Sequence, residues 1–291
     1  MELILSTLIN GLSLGGIYAM IALGYTMVYG IAKMLNFAHG DIIMVGGYMI
    51  YVGLTVSGNP VISFIAAVLS CIVLGITIEK IAYKPLRGAS PLAVLITAIG
   101  VSYLLQSSAQ MIFGSAPKMV TIADLGSISF GGLTVPVYVL VTLACSVVIM
   151  AALSLFVKYT RTGRAMIAVS EDKGAAQLMG INVNRIIMIT FAIGSGLAAF
   201  AGLFMLMKSP SLSNTLGAMP GIKAFTSAVI GGVGSIPGAM LGGILMGVIE
   251  AFSLKIPLIA PYTDAIEFLI LIIILLVKPT GILGKKRREK V

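Results

Sequence analysis

The 291 residues are 58% hydrophobic and only 10% charged, with a formal net charge of +9. Soluble domains carry roughly 25% charged residues, so a water-soluble globular chain is excluded, and with it any sizeable catalytic domain. The excess of bases is not a nucleic-acid signature, because most of it lies between long apolar runs, where it reports membrane topology.

A bilayer-spanning helix needs about 20 mostly apolar residues, and such runs follow one another along the chain. The start, Met1-Glu2-Leu3, has neither the basic leader nor the cleavage site of a secretory signal, so the run from Leu3 becomes the first span. The sequence predicts an all-α, polytopic integral membrane protein. Candidate spans are 5–29, 39–57, 61–82, 92–113, 136–157, 186–207, 219–234, 236–254 and 262–278. Eight to ten crossings fit, since 219–234 is short and glycine-rich enough for a re-entrant half-helix and 29–40 has room for a further break. All of 1–291 reads as one transmembrane domain, with a polar loop at 158–185 and a basic tail at 279–291.

The first interruption is Leu35-Asn-Phe-Ala-His-Gly-Asp-Ile42. His39 is the single histidine of the chain, and Asp41 lies two residues on. At bilayer depth these residues are costly and are functional candidates by default; at the interface they would simply cap the following span. Asn36 can bond freed backbone in either case. One histidine, and no His-Glu-x-x-His, rules out a multi-histidine metal site. Cys71 and Cys145, both inside apolar spans, read as small hydrophobes.

Polar loop 158–185 contains Arg161-Thr-Gly-Arg164 and then Ser170-Glu-Asp-Lys-Gly-Ala-Ala-Gln-Leu-Met-Gly-Ile181. The second run predicts a short helix with Ser170 as N-cap and with Glu171 and Asp172 at the positive end of its dipole. Gly180 suits the left-handed position past its end. Ala175, Leu178 and Met179 share a face, with Ala176 beside them, so another surface can come close. This is the grammar of a docking element for a soluble partner.

A second interruption, Gly231-Gly-Val-Gly-Ser-Ile-Pro-Gly238, breaks 219–254 at a roughly corresponding place in the second half. Paired Gly/Pro-broken segments point to an internal repeat around a substrate path, although small residues also serve tight helix packing. Residues Asn36, His39, Asp41, Gly231, Gly232, Gly234 and Gly238 are therefore candidates for that path. Glu250 joins them, either as a cavity-lining group or as an interface and packing residue. Asp264 and Glu267 read as surface charges at the start of the last span, and Lys223 as a base snorkelling outward.

The bases choose an orientation. Lys80, Lys84, Arg87, Lys158, Arg161, Arg164, Lys173, Arg185, Lys278, Lys285, Lys286, Arg287, Arg288 and Lys290 make 14 of the 19 and fall on one face. By the positive-inside rule that face is cytoplasmic, which puts the C-terminus inside and, with nine crossings, the N-terminus outside. Lys285 to Arg288 reads as a topology anchor near anionic lipid. Nothing matches G-x-x-x-x-G-K-[ST], so energy from ATP would have to come from another chain.

The chain resembles the LivH-type permeases of branched-chain amino acid ABC importers, in the hydrophobic amino acid uptake family. The resemblance rests on Asn10-Gly-Leu-Ser-Leu-Gly15, Gly24-Tyr-Thr-Met-Val-Tyr-Gly30, Asn36-Phe-Ala-His-Gly-Asp41 and Tyr83-Lys-Pro-Leu-Arg87. It continues in Gly163-Arg-Ala165, Glu171-Asp172, Gly180-Ile-Asn182, the Gly231–Ala239 run and Pro279-Thr-Gly-Ile-Leu-Gly284. The family often has glutamate where Asp41 stands. The resemblance implies a non-enzymatic transport subunit of a bacterial inner membrane, for leucine, isoleucine and valine. Implied partners are a second related permease in a heterodimer, two ATPase subunits binding Mg-ATP and an extracytoplasmic binding protein, with no cofactor on this chain. Arg161, Arg164, Glu171, Asp172, Ala175, Ala176 and Gly180 would form the coupling element inserted into an ATPase cleft. Rival readings are an ABC permease for urea, short amides or other amino acids, a proton-coupled secondary transporter using His39 and Asp41, and an intramembrane enzyme using the same pair.

Overall fold

Lipid offers backbone amides no partner, so each long apolar run must close into a helix. The computed structural model describes residues 2–122, 125–130 and 133–284. Its helices in order are α1 (Glu2–Ala32), α2 (His39–Ser57), α3 (Pro60–Ile78), α4 (Pro91–Phe113) and α5 (Val137–Tyr159). Two short helices follow, α6 (Arg161–Glu171) and α7 (Lys173–Leu178), then α8 (Val183–Lys208), α9 (Ala218–Gly231), α10 (Ile236–Ser253) and α11 (Thr263–Val277). Among the described residues eight helices are long and apolar enough to cross a bilayer; α6, α7 and α9 are not. A π turn at Glu79–Tyr83 and a 3-10 turn at Lys84–Leu86 carry α3 onward.

Helix starts follow polar caps. Asn59, Ser90, Asn182 and Ser235 each accept a backbone N–H in the first turn of α3, α4, α8 and α10, and proline stands at the first or second position of α3, α4 and α10. Four short strands add two antiparallel pairs. β1 (Lys118–Met119) meets β4 (Ser211–Leu212), and β2 (Ser127–Phe130) meets β3 (Leu133–Pro136) just before α5.

α1 is apolar on every side and buried over most of its length, which makes it the central helix. Gly11, Gly15 and Ala19, four residues apart, lie against Gly243, Gly247 and Ala251 of α10. With almost no side chain on either face the two backbones touch, and dispersion rather than the hydrophobic effect holds them in lipid. α8 packs on another side of α1 and also carries α2 and α3. There Gly46 of α2, Cys71 of α3 and Ala199 of α8 meet, and the buried Cys71 acts as the small hydrophobe expected of it.

Contacts between the helix ends set the path of the chain. Lys173 Nζ donates to the Ala32 carbonyl at 2.8 Å, so α1 ends on the side of α6 and α7. α8 runs to the opposite side, where β4 pairs with β1. The chain then returns through residues 209–217, where β4 gives way to a turn at 214–217, until Gly217 packs on Gly40 at the start of α2. α9 completes that crossing with 14 residues, about 21 Å of helix against a hydrocarbon core of about 30 Å. The chain thus crosses nine times with eight full-length helices, and Glu2 and Gly284 lie on opposite sides. The short 219–234 run is the half-helix, as its length allowed.

Of the basic tail, Lys285, Lys286, Arg287, Arg288 and Lys290 lie outside the described residues. Residues 279–284 are packed rather than free. The Ile282 and Leu283 amides donate to the carbonyls of Ile230 and Gly231 at 2.8 and 2.9 Å.

Candidate functional site

The first interruption lies inside the helix bundle, with Asn36, His39 and Asp41 all buried. After Ala32 the chain turns at Lys33, a non-glycine residue at φ +61°, and re-enters the bundle. Asp41 then meets Ser102 and Gln106 of α4. Ser102 stands midway along the 23 residues of that helix, so Asp41 is level with the middle of a candidate span. Its Oδ1 accepts from Gln106 Nε2 at 2.8 Å, and its other oxygen accepts from the Ser102 hydroxyl. Asn36 is equally buried, and its Oδ1 accepts from Tyr83 OH at 2.8 Å. Asp41, Tyr25, Phe37, Tyr103, Gln106 and Gly221 wall a cavity of about 310 Å³.

His39 occupies a slot where α1 and α8 offer only glycine. Its ring lies on Gly24 with Gly194 beside it, and it meets Tyr25 edge-on at 4.8 Å between centroids. Nε2 has no hydrogen-bond partner among the described residues. Two residues apart on a helix, His39 and Asp41 leave α2 in different directions. One reaches α1 and α8, the other α4. They do not form the acid–base pair that a proton relay or a hydrolytic site would use.

The second interruption contains backbone rather than charge. Gly231 and Gly238 stack directly, and a side chain at 231 would overlap the Gly238 carbonyl. Gly232 and Gly234 hold φ of +111° and +90°, which L side chains rarely adopt. Gly234 also packs on Gly30 near the end of α1, on the α7 side of the bundle.

Glu250 belongs to a cluster that the sequence did not disclose. Lys223 Nζ lies 3.0 Å from Glu250 Oε2, 2.8 Å from Asp264 Oδ1 and 3.2 Å from Glu267 Oε2. Tyr18 OH donates to Glu250 Oε2 at 2.6 Å. Lys223 therefore does not snorkel outward; it is buried, because three carboxylates hold it inward. Glu267 is not a surface charge either: it is fully buried, while Asp264 is about half exposed. A signal was present, since an intramembrane lysine needs a partner and Asp264 and Glu267 lie three apart on one helix face.

In the polar loop the short helix exists but starts later than expected. Asp172, not Ser170, is its N-cap: Asp172 Oδ1 accepts from the Ala175 amide at 3.0 Å. The Ser170 hydroxyl instead bonds Ile167 O in its own helix, α6. Gly180 takes φ +80°, and the Ile181 amide closes the end on Ala176 O at 3.0 Å. Ala176 is buried beneath the helix, whereas Ala175, Leu178 and Met179 are exposed, the last two by 90% and 83%. Arg161, Arg164 and Glu171 are exposed around it. Lys173 ties α7 to the end of α1; burial, and then the nearby Arg87, push its ammonium below its usual pKa. Arg87 is itself held by Glu79 and Asn184.

A family model described as branched-chain amino acid transport system, permease component, matches residues 7–275. The chain belongs to this family. It is 42% identical to the high-affinity branched-chain amino acid permease BraD of Pseudomonas aeruginosa, over 99% of this chain and 98% of that protein. It is 41% identical to LivH of Escherichia coli K12, over 99% and 97%. A solved structure described as an inward-facing ABC transporter of metal-chelate type aligns with a TM-score of 0.50 at 14% identity, over 94% of this chain and 85% of that one. That likeness concerns the fold alone. For this family the helices and loop above have a defined setting: a multi-pass transport component.

Proposed function

We propose that this chain is the permease subunit of an ATP-driven importer of leucine, isoleucine and valine in a bacterial inner membrane. It lies with the α7 side in the cytoplasm, and so with the N-terminus outside and the C-terminus inside. A second related permease completes the path, an extracytoplasmic binding protein delivers substrate, and two ATPase subunits bind Mg-ATP. ATP hydrolysis belongs to those partners. Asn36, His39, Asp41, Gly231, Gly232, Gly234, Gly238 and Glu250 line or brace the moving core.

The observation that carries the reading is α7. It is capped at both ends, anchored by Ala176, and presents Ala175, Leu178 and Met179 away from the bundle. An apolar patch on so short a helix supports insertion into a cleft of a soluble partner, with Arg161, Arg164, Glu171 and Asp172 around it and Gly180 setting its end. Because Lys173 holds Ala32 O, a push on α7 reaches the end of α1, and with it the interruption that leads to His39 and Asp41. A proton-coupled mechanism loses its support, because those two side chains diverge.

Ala175→Trp and Gly180→Pro test the docking role. The tryptophan enlarges the exposed face without disturbing Ala176, and proline cannot adopt positive φ. Both variants are expected to insert normally, to lose the ATPases on co-purification and to lose leucine uptake in vesicles. Uptake at the unaltered level in both would remove α7 from the interface.

A further inference from the structure

We propose that Glu250 and Lys208 bind the two charged ends of an aliphatic α-amino acid in a cavity beside α1. The proposal rests on the importer reading above and adds a site within the membrane domain itself. The cavity holds about 260 Å³ and opens on the side opposite α7, where Lys208 closes α8. Leu14, Ile17, Leu216 and Met219 give it apolar walls.

Glu250 forms one end. Tyr18 and Lys223 both bond its Oε2, which fixes the carboxylate in place. Lys223 lines the cavity beside it, and its ammonium is shared with Asp264 and Glu267 outside that lining, so it neutralises Glu250 only in part. Buried charges in a membrane domain are retained where they pair, and an arriving ammonium completes this one. Lys208 forms the other end. It is exposed at the cavity mouth and has no carboxylate within ion-pair distance among the described residues. A zwitterion with an aliphatic side chain needs an anion, a cation and an apolar wall, and all three are present here.

An approach to this cavity exists as well. Lys208, Leu14 and Ile17 also line a neighbouring cavity of about 280 Å³, whose other walls include Thr7, Asn10, Ser13 and Thr142. Along α1, Thr7, Asn10, Leu14, Ile17 and Tyr18 recur every three or four residues, which puts them on one face. Polar groups thus line the open end, and the apolar Leu14 and Ile17 connect it to Tyr18 and Glu250. Apolar walls and two charges favour any small zwitterionic aliphatic amino acid, with modest discrimination among them.

The test is binding of radiolabelled L-leucine to the purified importer without its binding protein. Leucinamide, which lacks the carboxylate, and 4-methylpentanoate, which lacks the ammonium, serve as competitors. Glu250→Gln and Lys208→Met are each expected to weaken leucine about tenfold or more. Leucinamide should be indifferent to Lys208→Met, and 4-methylpentanoate to Glu250→Gln. Lys208→Met sits at the exposed mouth and keeps its apolar stem, so this arm holds even if the Glu250→Gln variant fails to fold. Leucine binding unchanged in Lys208→Met, or absent from an importer that takes up leucine, overturns the site while leaving the importer reading intact. The full binding pattern in an importer that fails to take up leucine keeps the site and overturns the importer reading.

Discussion

Both interruptions break a helix inside the bundle, yet they are held by opposite means. The segment before α2 is held by side chains. Asn36 accepts a hydrogen bond from Tyr83, Asp41 accepts two from α4, and His39 fills a glycine slot. The segment between α9 and α10 is held mainly by backbone: Gly231 on Gly238, Gly234 on Gly30, and the Ile282 and Leu283 amides on the open end of α9, with the Ser235 hydroxyl accepting from the Gly238 amide as its side-chain cap. Unwound chain in a membrane must be satisfied by protein, and either solution meets that demand. They differ in what they permit. Hydrogen-bonded side chains can exchange partners as helices shift, whereas backbone in van der Waals contact has no slack.

The largest expected effect therefore belongs to the rigid segment. Gly231→Leu should leave no monodisperse protein in detergent, because its side chain would enter the Gly238 carbonyl. Gly100→Leu, on α4 with nothing within 4 Å of a Cβ, is the control and should behave as the unaltered chain. Equal yields from both would mean that close backbone contact does not constrain the second segment.

In the side-chain segment the effects should be smaller and graded. Asp41→Leu strands the donors of Ser102 and Gln106, a cost of about 1–3 kcal/mol, eased where the adjoining cavity lets water reach them. It should lower the thermal unfolding midpoint clearly, and Asp41→Asn by less, since an amide still accepts from one donor. Tyr83→Phe removes one bond to Asn36 and should cost about 1 kcal/mol. If Tyr83→Phe proved as damaging as Gly231→Leu, the contrast between the two segments would be wrong.

Much of this was legible in the chain. Apolar runs gave the spans, and Gly180 marked the end of α7. Asp172 displaced Ser170 as cap because the Ser170 hydroxyl is satisfied within its own helix, a choice between neighbours that spacing does not settle. The Lys223 cluster was hidden for another reason. Its members come from α9, α10 and α11, and each looked like an isolated charge until the helices brought them together. His39 and Asp41 misled in the reverse sense: close in sequence, they face different helices.

The bonds from Ile282 and Leu283 to the end of α9 join the last described residues to the shortest of the crossings. Without them the carbonyls of Ile230 and Gly231 would lose those partners in a bundle that offers little water. Residues 279–284 thus act as a latch on the seventh crossing, and a chain cut before Ile282 is expected to leave that latch open.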